Sequence, residues 1–293
     1  MANSVLEKLD DVIDLPSLPE IVTKLSEAVD DQNTSAADLA NIMADDPAIT
    51  AKILRLVNSA YYGRTSSGRE ITSVSYAIAR MGFREVKNVV FSLSVFNLFQ
   101  SKSAVIDLKG FWHHSVSVAI STRVILDFVV ASLGESVAVD GDSLHVTGLL
   151  HDIGILVLNQ YFRDDFEKAF AISREGEMPL HEAERKVLGI DHAAVGAYVA
   201  RHWKLPANVV RGIEFHHEPN REFKDSDAQL VQIVNLGDFI CNLHWPEHTG
   251  ENLHGESHLY SLKALNLPMK NLSEILDLIE EDASRSQVMV ALM

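Results

Sequence analysis

Histidines and carboxylates in the second half of the chain have the types and spacing of metal ligands. In chain order they are His114, His151, Asp152, His192, His216, His217 and Asp238. Imidazole and carboxylate groups are preferred ligands of first-row metals such as Fe, Mn and Zn. We therefore expect one or two such divalent ions per chain. A pair of ions can activate water for attack on a phosphoester.

The surroundings of these residues strengthen that expectation. His151 and Asp152 follow an apolar run, and Asp238 lies within an otherwise apolar helical pattern. Burying an ionised aspartate without a partner costs several kcal/mol, so each aspartate needs a cation or a hydrogen-bonded histidine. A single buried histidine is more often a hydrogen-bonded core residue, and we expect structural or surface roles for His145, His181 and His202.

Two assignments depend on side-chain direction. His113 and His114 are neighbours on one helix, so at most one of them should face the site. Glu218 follows two candidate ligands and precedes Pro219. We interpret Glu218 either as a carboxylate that orients a ligating histidine or as a surface acid ahead of a proline turn.

The elements that must position these residues are helices. Apolar residues recur at helical spacing almost throughout and no strand pattern persists, which predicts an all-α fold. Ser35, Asp46 with Pro47, and Thr72 or Ser73 are the expected helix starts. Longer helices are predicted over 83–99, about 111–133, 229–243 and 271–290. The helix over 83–99 is apolar on almost every side, which predicts that it is buried.

We divide the chain at the polar stretch 101–109. The prediction is an N-terminal helical lobe over 1–103 and a second helical lobe with the metal site over 104–245. Residues 246–293 then form a polar, histidine-rich insertion followed by a C-terminal helix.

Composition limits the classes of partner. A net charge of −16 argues against a broad nucleic-acid surface. The most apolar stretch that we identified, 89–99, is too short to span a membrane, and the acidic start does not resemble a signal peptide. Because Cys241 is the single cysteine, no intrachain disulfide can form, and we expect a cytoplasmic protein.

The ordered ligands resemble those of a known superfamily. His114, the pair His151–Asp152 and Asp238 are similar to the H…HD…D signature of the HD superfamily of metal-dependent phosphohydrolases. His192 and the run His216–His217–Glu218 resemble the added ligands of its HD-GYP branch. The segments LPSLPEIVTKL, DDPAITAKILRLVNSAYYG and ITSVSYAIARMGFREVKNVV resemble, more narrowly, the HDOD family of bacterial signalling proteins. The likeness covers about residues 15–238.

This resemblance implies a multi-helical HD-like bundle preceded by an N-terminal helical lobe. It also implies that Asp152 bridges two metals. We expect His151 and His192 to share one ion, with the remaining ligands divided between the two. Two departures argue against cyclic-di-GMP hydrolysis: Ile155 stands where the HD-GYP branch has the lysine of HDIGK, and PNREFKD over 219–225 replaces its Gly-Tyr-Pro stretch.

Two functions remain as hypotheses. The first is a signalling protein that acts on a protein partner in trans, since we recognise no fused receiver, GGDEF or kinase-like segment. Tyr61, Tyr62 and Arg64 would offer an exposed contact, unless the tyrosines pack beneath a loop. The alternative is a metal-dependent phosphohydrolase or phosphodiesterase acting on a nucleotide or other phosphoester, with Asp152 and Glu218 in catalysis. A purely structural metal is a third possibility.

Overall fold

A computed structural model describes residues 2–11, 15–62, 70–99, 105–133, 137–176, 178–223, 227–245 and 256–292. Every regular element within these ranges is an α-helix, and none of them contains a strand. The all-α prediction is therefore confirmed. We number the helices α1 to α16 in chain order.

One compact unit comprises Pro16–Gln100 with Ser284–Met293. Its helices are α2 (Glu20–Asp30), α3 (Ala36–Met43), α4 (Pro47–Val57), α5 (Val74–Met81) and α6 (Phe83–Leu98). The predicted starts are confirmed, because the side chains of Ser35, Asp46 and Ser73 each accept a hydrogen bond from a backbone N–H of the following first turn.

Within this unit α6 is the most deeply buried helix, as its sequence predicts. Val86 and the whole run 89–96 are buried. A single residue, Gly82, separates α5 from α6 at a φ of 90°. That left-handed conformation favours glycine and allows the chain to turn between the two helices without a longer loop.

The predicted exposed contact falls partly in this unit. Tyr61 and Tyr62 are half-buried, and the hydroxyl of Tyr62 donates to Glu85 at 3.1 Å. Arg64 lies outside the described residues. The contacts of Tyr62 therefore match the packed alternative better than a free interface anchor.

The other compact unit comprises Met1–Leu15 with Ser101–Ala283. Its helices are α1 (Ala2–Asp11), α7 (Leu108–Leu133), α8 (Gly141–Leu150), α9 (Ile153–Tyr161), α10 (Arg163–Arg174), α11 (Leu180–Leu188), α12 (His192–His202), α13 (Ala207–Phe215), α14 (Asp227–His244), α15 (Ser257–Ala264) and the larger part of α16 (Asn271–Ala291). Helix α7 packs on α8 and α14, whereas α12 packs on α9 and α13. The three-part division predicted from the sequence stays a prediction; the structure groups both ends of the chain with segments distant in sequence.

The expected polar insertion is only partly described. Residues 246–255 lie outside the described ranges. Ser257 begins α15, in which Leu259 and Tyr260 are exposed whereas Ser261 and Leu262 are buried. The Ser261 hydroxyl donates to the side-chain oxygen of Asn235 at 2.8 Å, so the described end of this stretch is a surface helix that packs along one side.

Helix α7 is also long and apolar enough, over Leu108–Ser132, to cross a membrane by length and composition alone. The helix was predicted from the sequence over about 111–133, but the most apolar stretch was placed at 89–99, so this candidate span was not recognised. In the unit it forms part of the core, where Val118, Ile125 and Val129 are fully buried. Core burial is sufficient to explain its composition.

Candidate metal centre

The pair His151–Asp152 lies at a break between two helices. His151 ends α8, and Asp152, with φ −100° and ψ 7°, precedes the first residue of α9. Within one continuous helix, two neighbouring side chains would point about 100° apart. The break removes that restriction, so both side chains face one centre.

Two glycines bring α12 against this break. A Cβ at Gly154 would lie 2.0 Å from the carbonyl oxygen of His192 and 2.8 Å from the backbone nitrogen of Gly196. No side chain fits at such distances. The close approach of α9 and α12 places His192, the first residue of α12, beside Asp152.

The remaining predicted ligands come from α7, α13 and α14. His114 lies within α7 and Asp238 within α14, while His216 and His217 follow the last residue of α13. His114, and not His113, faces the cluster: His114 is 1% exposed, whereas the ring of His113 packs against Trp245.

The first half of the centre consists of His114 and His151, which lie near Oδ2 of Asp152, and of Asp238, which lies beside both imidazoles. His114 Nε2 lies 3.0 Å from Asp238 Oδ1 and 3.3 Å from His151 Nε2. His151 Nε2 lies 3.2 Å from Asp152 Oδ2. Each of the two imidazole nitrogens therefore lies within 3.8 Å of both carboxylates.

The second half consists of His192, His216 and His217, which surround the other oxygen of Asp152. Oδ1 of Asp152 lies 3.3 Å from His192 Nε2 and 3.5 Å from His216 Nε2. His192 Nε2 and His217 Nε2 are 2.8 Å apart. His151 and His192 thus lie in different donor groups, whereas the sequence-based expectation places them on one ion. Among the described residues, Asp152 is the member that both groups share.

These distances fit a pair of first-row divalent ions. With metal–ligand bonds of about 2.0–2.2 Å, donors around one ion lie about 3.0–3.6 Å apart, and most of the distances above fall in that range. In addition, Asp152 Oδ1 and His216 Nε2 are buried without a hydrogen-bond partner. Unsatisfied buried polar atoms are costly and need an explanation, and a cation bound by both atoms supplies one.

Three of the imidazoles are oriented through their Nδ1 atoms. His151 Nδ1 lies 2.8 Å from the carbonyl oxygen of Gly148, and His216 Nδ1 lies 2.7 Å from that of Ile213. His192 Nδ1 lies 2.7 Å from the carboxylate of Glu184. When Nδ1–H donates in this way, the lone pair of Nε2 is left free to bind an ion.

Glu184 is a functional residue that the sequence analysis missed. It is fully buried and also accepts a hydrogen bond from the backbone N–H of His192 at 2.8 Å. The available signal was its position on the apolar face of α11, at a spacing of four from Leu180 and Leu188. A carboxylate on such a face needs a partner.

Of the two interpretations of Glu218, the structure matches the surface acid and not the carboxylate that orients a ligating histidine. Its carboxylate pairs with Arg185 at 3.1 Å and with Arg221 at 3.3 Å, and its side chain is 40% exposed. It makes no described contact with a ligating imidazole. The second interpretation, a surface acid ahead of Pro219, matches the structure, and Glu184 supplies the carboxylate expected here.

The charges of the centre depend on one another. Burial would raise the pKa of Asp152, but His151, His192 and His216 outweigh burial and hold that pKa well below its usual range. Burial would lower the pKa of His151 and of His192, yet neighbouring carboxylates raise both well above the ordinary value. Without metal, the buried carboxylates are therefore balanced by imidazolium ions.

A helical bundle with a His-Asp pair at its centre, in which the two oxygens of the aspartate face different histidines, is the arrangement expected for the HD type of protein. Comparison with known protein families narrows the class of protein further. The model of the HDOD domain family matches residues 15–219. The chain therefore belongs to the HDOD domain family.

Known relatives agree on the fold. An uncharacterized protein of Treponema pallidum (strain Nichols) is 27% identical over 217 residues, which are 74% of this chain and 40% of that protein. The chain thus spans less than half of this curated relative. An HDOD protein of unknown function from Geobacter sulfurreducens has a TM-score of 0.75 at 22% identity, with 98% of this chain and 95% of that chain covered. A candidate phosphohydrolase from Shewanella amazonensis has a TM-score of 0.72 at 22% identity, with 99% and 97% covered.

Proposed function

We propose that this chain is a regulatory HDOD protein that binds two divalent ions across Asp152 and transmits a signal to a protein partner in trans. The observation that carries the proposal is the division of the Asp152 carboxylate. Its Oδ1 faces His192 and His216, while its Oδ2 faces His151. Each oxygen thus belongs to a separate set of donors.

The chemistry of the donor set favours Fe, Mn or Zn. Both halves combine neutral imidazole nitrogens with carboxylate oxygens, which suit these first-row metals better than Ca or Mg. When bound, two such ions polarise a phosphoryl oxygen or lower the pKa of water. The protein's own part is to hold its imidazoles in one tautomer and to keep both aspartates ionised.

Burial favours regulation over hydrolysis. His114, His151, Asp152, His192 and His216 are each at most 2% exposed, so little of the centre is open to a phosphoester. The position at which HD-GYP proteins have a lysine is occupied by Ile155, which is 4% exposed and cannot donate a proton. A centre of this kind is suited to coupling ion binding to the stability of the unit.

The first test is elemental analysis of the full chain, purified without an affinity His-tag. We expect close to two Fe, Mn or Zn per chain after incubation with the metal, and none in an Asp152→Ala variant. His202→Ala, which removes an exposed imidazole outside the centre, is the matched control. A folded wild type that takes up neither ion would refute the proposal.

The alternative function is a metal-dependent phosphohydrolase acting on a nucleotide or other phosphoester. The observation in its favour is that the chain keeps ligands for two ions, and that His217 is only partly buried. The metal-loaded protein should be assayed against bis(p-nitrophenyl) phosphate and a nucleotide panel. We expect no turnover. Metal-dependent product release that is lost in Asp152→Ala would establish the enzyme instead.

A further inference from the structure

Helix α11 presents one face to the second half of the centre. His181, Glu184 and Arg185 are spaced by three and four residues, so they lie on one side of the helix. Glu184 accepts a hydrogen bond from His192, and Arg185 pairs with Asp191 and with Glu218. His181 is the member of this face for which the site described above has no role.

His181 contacts His217, the candidate ligand of the second half whose Nδ1 has no described acceptor. In the second half, His192 and His216 are each fixed by an acceptor at Nδ1. His217 makes its one described hydrogen bond through Nε2, with His192. Its ring lies nearly parallel to that of His181, with centroids 4.1 Å apart and an angle of 18° between the planes. The rings of His216 and His192 also contact it, but at angles of 44° and 83°. This parallel contact restricts rotation of the His217 ring.

We propose that His181 is a positioning residue for the metal centre: its ring, stacked on His217, holds that imidazole in the orientation that binds the second-half ion. This inference rests on the proposed function, since it presupposes an ion in that half. It adds a residue outside the H…HD…D signature and its added histidines. It also makes occupancy of the second half depend on α11.

The hydrogen bonding of His181 is compatible with this role. Nδ1 of His181 is buried and makes no hydrogen bond to the described protein, so stacking on His217 is the main contact that the structure assigns to the ring.

The effect should be confined to one ion. Glu184 contacts His192, and His181 contacts His217. No contact between this face of α11 and a first-half ligand is described. Loss of the stack should thus weaken one of two binding steps and leave the other unchanged. A general loss of folding would weaken both.

The experiment is a titration of the metal-depleted full chain with Mn²⁺, in which the electron paramagnetic resonance signal reports free Mn²⁺. Wild type, His181→Ala, His181→Phe and His202→Ala are compared, with circular dichroism to verify folding. We expect His181→Ala to bind one of two ions about 10–100-fold more weakly. His181→Phe, which keeps the stack but cannot ligate, should restore binding to within about threefold of wild type.

Each outcome decides the inference. Equal binding by His181→Ala and wild type would overturn it, and so would a Phe variant as weak as the Ala variant, because that result makes the nitrogens of His181 essential. If His181→Ala does not fold, His181→Leu supplies the ring-free comparison. A wild type that binds no Mn²⁺, Fe²⁺ or Zn²⁺ would instead refute the proposed function. That result differs from one in which wild type binds metal and the variants are compared with it.

Discussion

Replacing Asp152 by alanine perturbs both halves of the centre at once, because the carboxylate is the one group shared between them. Each half loses an oxygen donor, and the second half keeps only imidazoles. The pair His151 and His192 also loses a buried counter-ion. Asp152→Asn is a sharper variant, since it preserves volume and retains a single oxygen donor, so it can serve one half but not both.

The magnitude follows from two separate effects. Without metal, removal of one partner from a buried ion pair costs about 3–5 kcal/mol, although deprotonation of the histidines reduces this cost. With metal at about 100 times its Kd, each bound ion stabilises the folded state by about 2.7 kcal/mol. For a unit of about 150–250 residues, where 1 kcal/mol shifts Tm by about 2–4 °C, each ion should raise Tm by about 5–11 °C.

The assay is thermal unfolding followed by circular dichroism, with and without Mn²⁺, alongside elemental analysis. We expect the full metal-dependent rise in Tm for wild type and for His202→Ala. About half of that rise is expected for Asp152→Asn and none for Asp152→Ala. A metal-dependent rise in Asp152→Ala as large as that of wild type would show that the bridge is not the basis of binding.

Three further predictions concern the support of the ligands. Glu184→Ala should weaken the second-half ion about 10–100-fold because His192 loses the acceptor at Nδ1; an unchanged affinity in a Mn²⁺ titration would contradict this. Burial lowers the pKa of His151 and of His192, but neighbouring carboxylates outweigh burial and raise both pKa values. Ion binding must therefore displace protons from these imidazoles, and metal affinity should rise with pH until both pKa values are passed. Calorimetry in two buffers of different ionisation enthalpy counts the released protons. A count of zero would refute the conclusion that His151 and His192 are protonated before the ions bind. Gly154→Ala should separate α9 from α12, because its Cβ would clash with the His192 carbonyl, and should lower both Tm and metal content; normal values of both would contradict the packing argument.

The sequence was sufficient to predict the helices and the histidines and aspartates that the fold brings together around Asp152. Helix starts depend on local chemistry, and the side chains of Ser35, Asp46 and Ser73 accept the expected backbone hydrogen bonds. The ligands could be recognised because buried histidine and aspartate in apolar segments need partners. Both kinds of signal lie within a few residues of the feature that they predict.

The pairing of the ligands and their support could not be predicted in the same way. Whether His151 shares an ion with His192 depends on the break between α8 and α9, which periodicity does not reveal. Glu218 lies next to two ligands in sequence yet turns toward Arg185, while Glu184, eight residues from His192, reaches its ring. Adjacency in sequence was a poor guide here because helix ends redirect side chains.

Because the centre is buried, the regulatory and the hydrolase hypotheses predict different effects of a substitution at His181. Of the ligands, His217 is the one that is only partly buried, so exchange of an ion, a proton or a phosphoester with solvent has its shortest expected route past His217 and His181. In a hydrolase, a bulkier His181→Phe ring at this route should obstruct substrate while leaving Mn²⁺ bound. In a regulatory protein, the same variant should behave as wild type in ion binding and in signalling alike, because the stack is preserved. The variant that tests the positioning of His217 therefore also separates a centre that must admit a substrate from one that needs only to hold its ions.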